Sequence, residues 1–392
     1  MKSLSQQACR MPASGIREIM DLAWKIPGCI HLEVGQPDFP TPKHIGEAGI
    51  HAIEQGFTQY TPSRGIPALR DAICRKLERQ NHIHATLENL TVCPGAVTAL
   101  DSAILAIVDR EDEVLLADPG WPNPEMMVEL IGAKPVYFQL HPRLGFLPDL
   151  DQIQSLVTPK TKAFVLNSPS NPTGAIYPRT LLEGIYHFVQ KHDLYLISDE
   201  IYEDLVFEGE HFSVGSIDQD GRVISVYGVS KSYAMTGWRL GYAVAPAEVS
   251  SVITKLQEPL VSCASSISQV AATAALDGPQ EKVVWMREAY RRRRDIALEI
   301  LRQYELYEYT PGGAFYLMVN IGRLGNDSRE VAIRLLAETK VAVAPGTAFG
   351  KSMCQYVRVS LAASDEEVRE GIERICRYIA KEGSSSDRVS CS

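Results

Sequence analysis

No stretch of the chain approaches the ~18 consecutive apolar residues of a membrane span, so no transmembrane helix is expected. Positive charge is also short. Lys and Arg number 39 against 48 Asp and Glu, a formal net charge of −9, with no basic block at either end. Nucleic-acid binding needs clustered cations to meet phosphate, and that class is set aside. The one arginine-dense stretch, Arg291-Arg292-Arg293-Arg294, lies between Glu288 and Asp295 in a helical pattern and reads as a solvated or salt-bridged helix face. Eight cysteines are present, including Cys391, but none forms a CxxC pair. In a chain this large that favours reduced thiols over a disulfide framework or a zinc site, and no metal centre is expected. The first residues, Met1-Lys2-Ser3-Leu4-Ser5-Gln6-Gln7, lack the charged-then-apolar build of a secretory signal, so a cytoplasmic location is expected.

What remains is ample to bury a large core: 392 residues, 45% of them hydrophobic, a length that favours two or three domains. Between residues 90 and 245, short apolar runs alternate with amphipathic stretches. Strands are predicted over 90–93, 113–118, 135–138, 163–167, 194–199, 223–227 and 240–245, and helices over 96–108, 125–131 and 180–192. Runs that are apolar on both faces and joined by helical crossovers predict a mostly parallel α/β sheet. Beyond residue 245 the texture changes to long helical patterns over 265–276 and 281–303, then shorter elements. This predicts a second, smaller α+β domain joined by the N-terminal segment. The polar tract Ser384-Ser385-Ser386 is expected to fray.

Ligands of open parallel sheets sit beyond the carboxyl ends of the strands. The polar residues ending these strands are Asn167 to Gly174, then Asp199 with Tyr202, then Ser230-Lys231. Gly95-Ala96-Val97 opens a helix directly after a strand, an N-terminus suited to phosphate, and Arg239 follows Lys231 closely. A lysine buried beside an arginine loses basicity and becomes an imine-forming nucleophile. A buried carboxylate suits a protonated pyridine nitrogen, and a helix N-terminus with an arginine suits a phosphate dianion. Together they describe a site for pyridoxal 5'-phosphate.

Motifs along the whole chain agree. Val34-Gly35-Gln36-Pro37-Asp38-Phe39, Tyr60-Thr61-Pro62-Ser63-Arg64-Gly65-Ile66-Pro67-Ala68-Leu69-Arg70 and Asn167-Ser168-Pro169-Ser170-Asn171-Pro172-Thr173-Gly174 occur in order. They are followed by Ser198-Asp199-Glu200-Ile201-Tyr202, then Gly228-Val229-Ser230-Lys231 with Thr236-Gly237-Trp238-Arg239-Leu240-Gly241, then Arg358-Val359-Ser360. In these the sequence closely resembles the class I/II aminotransferases of pyridoxal-phosphate fold type I, of which aspartate aminotransferase is the type. The resemblance implies a large cofactor domain over 46–275, built on a seven-stranded-type sheet between helices. It implies a smaller domain made of 1–45 and 276–392.

It also implies roles. Lys231 carries the cofactor as a Schiff base and shuttles the substrate proton; Asp199 pairs with the pyridine nitrogen; Tyr202 and Asn171 meet the ring's phenolic oxygen. Arg239, Ser230 and the amides of Gly95, Ala96 and Val97 hold the phosphate, and Trp121 stacks on the ring. Arg358 takes the substrate α-carboxylate, helped by Gly35 and Asn171. Tyr60 reaches the phosphate in the neighbouring subunit, which implies a homodimer with shared sites. Ile16, Phe315, Tyr316 and Phe349 are expected near the substrate. Two departures from the family stand out: Val97 occupies a position that is polar in many relatives, and Gly228 one that is serine in some.

The activity implied is ping-pong exchange of an amino group between an L-amino acid and a 2-oxo acid. Elimination, substitution, cyclisation or C–C cleavage on the same scaffold remains the alternative, because outcome depends on which bond stands perpendicular to the ring. A cofactor-sensing regulator would need a DNA-binding module ahead of Gly35, where 34 residues stand. Ala96 replaces a lysine that serves some aspartate-using relatives. A side-chain carboxylate buried without a partner costs several kcal/mol, so aspartate is not expected to be the best donor.

Overall fold

The computed structural model describes residues 2–12 and 14–386, and Cys391 lies outside them. The described strands are β1 (Ile30–Leu32), β2 (Leu90–Cys93), β3 (Glu113–Asp118), β4 (Lys134–Gln139), β5 (Thr161–Asn167) and β6 (Tyr195–Asp199). They continue with β7 (Val223–Gly228), β8 (Gly241–Val244), β9 (Tyr316–Asn320), β10 (Val341–Pro345) and β11 (Tyr356–Ser360). Seven form one sheet in the order β2-β8-β7-β6-β5-β3-β4, and four form a second in the order β1-β10-β11-β9.

The large sheet is parallel except at β8, which runs antiparallel to both β2 and β7. Its strands other than β4 are buried on both faces, as their unbroken apolar runs require, whereas edge strand β4 buries only Phe138. Val114, Val165, Ile197 and Val226 pack toward the helix Ala96–Ile107, and Leu115, Phe138, Phe164 and Leu196 toward the helix Arg179–Lys191. Phe138 and Phe164 stack there with centroids 5.0 Å apart. Burying a ring or branched aliphatic chain of this kind contributes roughly 1.5–3 kcal/mol each. The sheet's rigidity is what holds the strand-end residues in place.

The small sheet takes its edge strand from the N-terminal segment, since β1 pairs in parallel with β10. The helices Glu281–Gln303 and Asp365–Ser386 cover it. The latter runs through Ser386, so the backbone of the polar tract Ser384-Ser385-Ser386 is assigned to its C-terminal end. Residues 247–260, left unassigned by their pattern, are also helical despite Pro259 near the end. The arginine run is salt-bridged, as expected, but only half of it is a solvated face. Arg293 and Arg294 are buried, Arg293 against Asp38 and Asp365, Arg294 against Glu208 and Asp295. No described helix is long and apolar enough to cross a membrane.

Candidate active site

The polar strand ends do converge. β5 stops at Asn167 and β6 at Asp199, and the two residues pair in register. The Asn167 side-chain amide donates to the Asp199 carbonyl at 3.0 Å. Its Oδ1 accepts from the Asn171 amide at 2.7 Å, which folds the following loop back over the sheet edge. β7 ends at Gly228, three residues before Lys231. A side chain at Gly228 would have its Cβ 2.8 Å from the Ile201 side-chain tip and 3.3 Å from the Leu240 carbonyl, so a serine there would require Ile201 to shift.

Charge in this crevice is thinly compensated. Asp199 is buried and accepts from the Ile201 amide at 3.2 Å; burial pushes its carboxyl up to about 7. Lys231 is pulled down to about 8, first by burial and then by Arg358 and Arg239. Its Nζ donates to the Gly35 carbonyl at 2.8 Å and lies 6.0 and 5.9 Å from the Tyr202 and Phe315 rings. An amine of this basicity is partly neutral near physiological pH, the form that attacks a carbonyl and accepts a proton.

One end of the crevice is built for an anion. The helix Ala96–Ile107 starts after Gly95 at φ 93°, and no side chain caps it. Its first amides are therefore open to a ligand. Arg239, itself at φ 52°, brings its guanidinium against Gly95 so closely that a Cβ there would collide with it. Arg239 Nη1 also donates to the Thr236 carbonyl at 2.9 Å. Ala96 and Val97 lie on the open turn of the helix, and Ser230 is buried beside Lys231.

The other end holds a buried guanidinium, whose fork of donors suits a carboxylate. Arg358, on β11, is buried; Nη1 donates to Asn171 Oδ1 at 3.0 Å and Nη2 to the Glu33 carbonyl at 2.5 Å. Its Nε is buried with no protein partner. The guanidinium lies 4.2 Å from the Tyr316 ring and 4.6 Å from that of Phe349. Trp121 and Phe349 line a cavity that reaches Asn171 and Asp199. Ile16 sits on the helix Gly15–Ala23. Tyr60 is not in this crevice at all: it stands 89% exposed on the loop before Gly65.

Sequence reasoning missed two features. Tyr202 and Tyr316 join hydroxyl to hydroxyl at 2.9 Å. Behind β6, Glu200 accepts from Ser198 (3.0 Å), Ser213 (2.5 Å) and Tyr227 (3.1 Å) and pairs with His211 (2.8 Å). Glu203 joins Lys76 and Asn81 in the same cluster. Ligand atoms of Glu200, Glu203 and His211 fall within 4.8 Å of one another, the spacing of a metal site, but the Lys76 ammonium already serves as the cluster's cation. The acidic pair Glu200 and Glu203, set on an apolar strand end, was the available signal.

Residues 27–375 match the family model described as aminotransferase class I and II. The chain belongs to this family. Its sequence is 41% identical over 355 residues to the aspartate/prephenate aminotransferase of Thermus thermophilus, covering 90% of this chain and 91% of that one. The solved structure of the Thermus thermophilus aspartate aminotransferase with maleate is 40% identical, with a TM-score of 0.92 over 96% of this chain and all of the other. The aromatic aminotransferase of Pyrococcus horikoshii is 37% identical, with a TM-score of 0.88 over 93% and 99%. The fold is therefore fold type I, and the enzyme is a pyridoxal-phosphate-dependent aminotransferase, as the resemblance implied. The residues present fit that cofactor. An uncapped helix N-terminus with an arginine suits its phosphate, a buried carboxyl lacking a cation suits its pyridine nitrogen, and a weakly basic amine suits its aldehyde.

Proposed function

We propose that this aminotransferase works through Lys231, Asp199 and Tyr202, with its substrate held by Arg358, Asn171 and Gly35. The observation that carries the reading is the convergence of Lys231, Asp199, Arg239 and Arg358 on one crevice from four segments of chain. When bound, pyridoxal phosphate supplies the electron sink that makes the substrate Cα–H acidic. Arg239, Ser230 and the amides of Gly95, Ala96 and Val97 hold the phosphate, and Trp121 covers the ring. Asp199 keeps the pyridine nitrogen protonated, an ion pair that also returns its own carboxyl to the ionised form. Tyr202 and Asn171 donate to the phenolic oxygen.

Arg358 grips the α-carboxylate with two parallel hydrogen bonds, and its unpartnered Nε faces no competing protein acceptor. That would orient the Cα–H toward Lys231 Nζ, which would take the proton and return it two atoms away, at C4′ of the cofactor. Purified protein should be yellow, and borohydride should fix the colour-bearing group to Lys231. Peptide mapping that placed it on another lysine would remove this reading.

The homodimer belongs to the same proposal. Ile50, Ile53, Phe57 and Tyr60 are all exposed along one short stretch of chain outside the crevice, which supports Tyr60 serving the neighbouring subunit. Tyr60→Ala and Lys231→Ala chains, each inactive, should regain activity on mixing by forming hybrids with one intact site. No recovery, with mixed dimers verified, counts against sharing. Domain limits of 46–275 for the large unit and 1–45 with 276–392 for the small one accord with β1 joining the small sheet. A cytoplasmic location is part of the same reading.

For the amino donor, we infer a neutral, aromatic or cationic side chain ahead of aspartate. The charged side chains lining the cavity at Trp121 are Glu125 and Asp199, both acidic. Position 96 is alanine, so nothing there offsets a second carboxylate. The names of several relatives include aspartate, which makes kinetics across an amino-acid panel decisive: the highest kcat/KM with aspartate would overturn this inference.

A further inference from the structure

Tyr202 follows β6 of the large sheet, whereas Tyr316 opens β9 of the small one, 114 positions later. Both are nearly sealed from solvent, and they meet edge to face, hydroxyl to hydroxyl at 2.9 Å. The same Tyr316 ring carries the Arg358 guanidinium at 4.2 Å. Gly35 closes the arrangement. A Cβ at that position would fall on the Tyr316 hydroxyl, and the Gly35 carbonyl takes the Lys231 amine. One phenol therefore touches the carboxylate end and the cofactor end of the crevice together.

Each phenol carries one proton, and either oxygen can donate across the 2.9 Å contact. Burial pushes both phenols up, and the nearby Arg358 guanidinium draws both back. When Tyr202 gives its single proton to the cofactor's phenolic oxygen, Tyr316 is left to supply the proton of the pair. Its proton goes to the Tyr202 oxygen, leaving the Tyr202 proton free to point toward the cofactor. The titratable groups facing the pair are Arg358 from β11, Asp199 from β6, Lys231, and Tyr290 from the helix Glu281–Gln303; Glu33 faces Arg358 from the far side.

We propose that Tyr316 is a positioning residue that links carboxylate recognition to cofactor tuning: its ring supports Arg358 and its hydroxyl orients and strengthens Tyr202 as a donor to the phenolic oxygen. This rests on, and deepens, the role given to Tyr202 above. Removing the Tyr316 hydroxyl weakens the Tyr202 donation, which favours the protonated state of the lysine-bound cofactor and raises its titration midpoint.

The test is a visible-absorbance pH titration of the holoenzyme. Tyr316→Phe should raise the midpoint by about half a pH unit or more, roughly threefold in proton affinity. Tyr202→Phe should raise it further, and the double variant should match Tyr202→Phe alone, because Tyr316 acts through Tyr202. An unchanged midpoint in Tyr316→Phe, or additive shifts in the double variant, overturns the proposal. If Tyr202→Phe itself leaves the midpoint in place, the role given to Tyr202 fails first and takes the relay with it. The ring is tested with 3-phenylpropionate, a carboxylate lacking an amine. Tyr316→Phe should keep its Kd within about twofold, whereas Tyr316→Leu should weaken it roughly fivefold or more. A wild-type Kd in Tyr316→Leu removes the support assigned to the ring.

Discussion

Asp199 and Glu200 are adjacent in the chain and both buried, yet they are treated in opposite ways. Glu200 is fully furnished. Burial alone would push its carboxyl up, but hydrogen bonds from His211, Ser213 and Ser198 hold it below the usual carboxylate range. Asp199 receives a single backbone amide, and burial carries it up to about 7. Glu200 belongs to a satisfied network that ties β6 to Lys76 and Asn81 on a distant helix and its extension. Asp199 is left short of partners where a ligand can supply one. A buried polar group that costs stability in the empty fold is a mark of function, and its satisfied neighbour is a mark of structure.

Substitution should separate the two. Lys231→Ala, on the poised side, should give the largest effect, a fall in kcat of roughly a thousandfold or more, with the protein still folded and still able to bind pyridoxal phosphate. Single-turnover kinetics measure it, and ordinary turnover would end the assignment of the proton-transfer group. Asp199→Ala should follow, with roughly a hundredfold loss in the chemical step and little change in thermal stability. Glu200→Gln should reverse that balance. Breaking a buried, charge-assisted pair costs about 3–5 kcal/mol, so denaturant unfolding should move far more than kcat. Should Glu200→Gln lose turnover while keeping its unfolding midpoint, the division between the neighbours collapses.

The contrast also explains what could be read in advance. Asn167, Asp199 and Lys231 were legible because each ends or closely follows an apolar run whose strand identity is a local property. The reversed direction of β8 was not, since apolar runs look the same either way along the chain. Nor was the burial of Arg293, whose carboxylate partner Asp38 lies 255 positions earlier, or that of Lys76, paired with Glu203 127 positions later. Charge patterning assigns such residues to the surface because their compensation comes from tertiary contact alone. The Tyr202–Tyr316 bond was hidden for the same reason: it joins two sheets.

The smallest expected effect concerns the cofactor-free protein and follows from sign alone. Asp199 has its carboxyl raised in the fold, from 3.8 to about 7, so between those values the folded chain holds a proton that the unfolded chain has released. Folding stability therefore contains a contribution that is complete below about pH 4 and is lost as pH rises through about 7. Above that, the apoprotein carries a buried carboxylate without a cation. Asparagine keeps the shape and stays neutral throughout. Apo Asp199→Asn should thus lose less stability than apo wild type between pH 5 and 8, by a few degrees of Tm in a chain this long. Pyridoxal phosphate should abolish the difference for wild type, since the pyridinium gives the ionised carboxyl its partner. Parallel Tm–pH curves for the two apoproteins would show that Asp199 is already compensated in the empty fold, and the contrast with Glu200 would no longer be one of ligand-readiness.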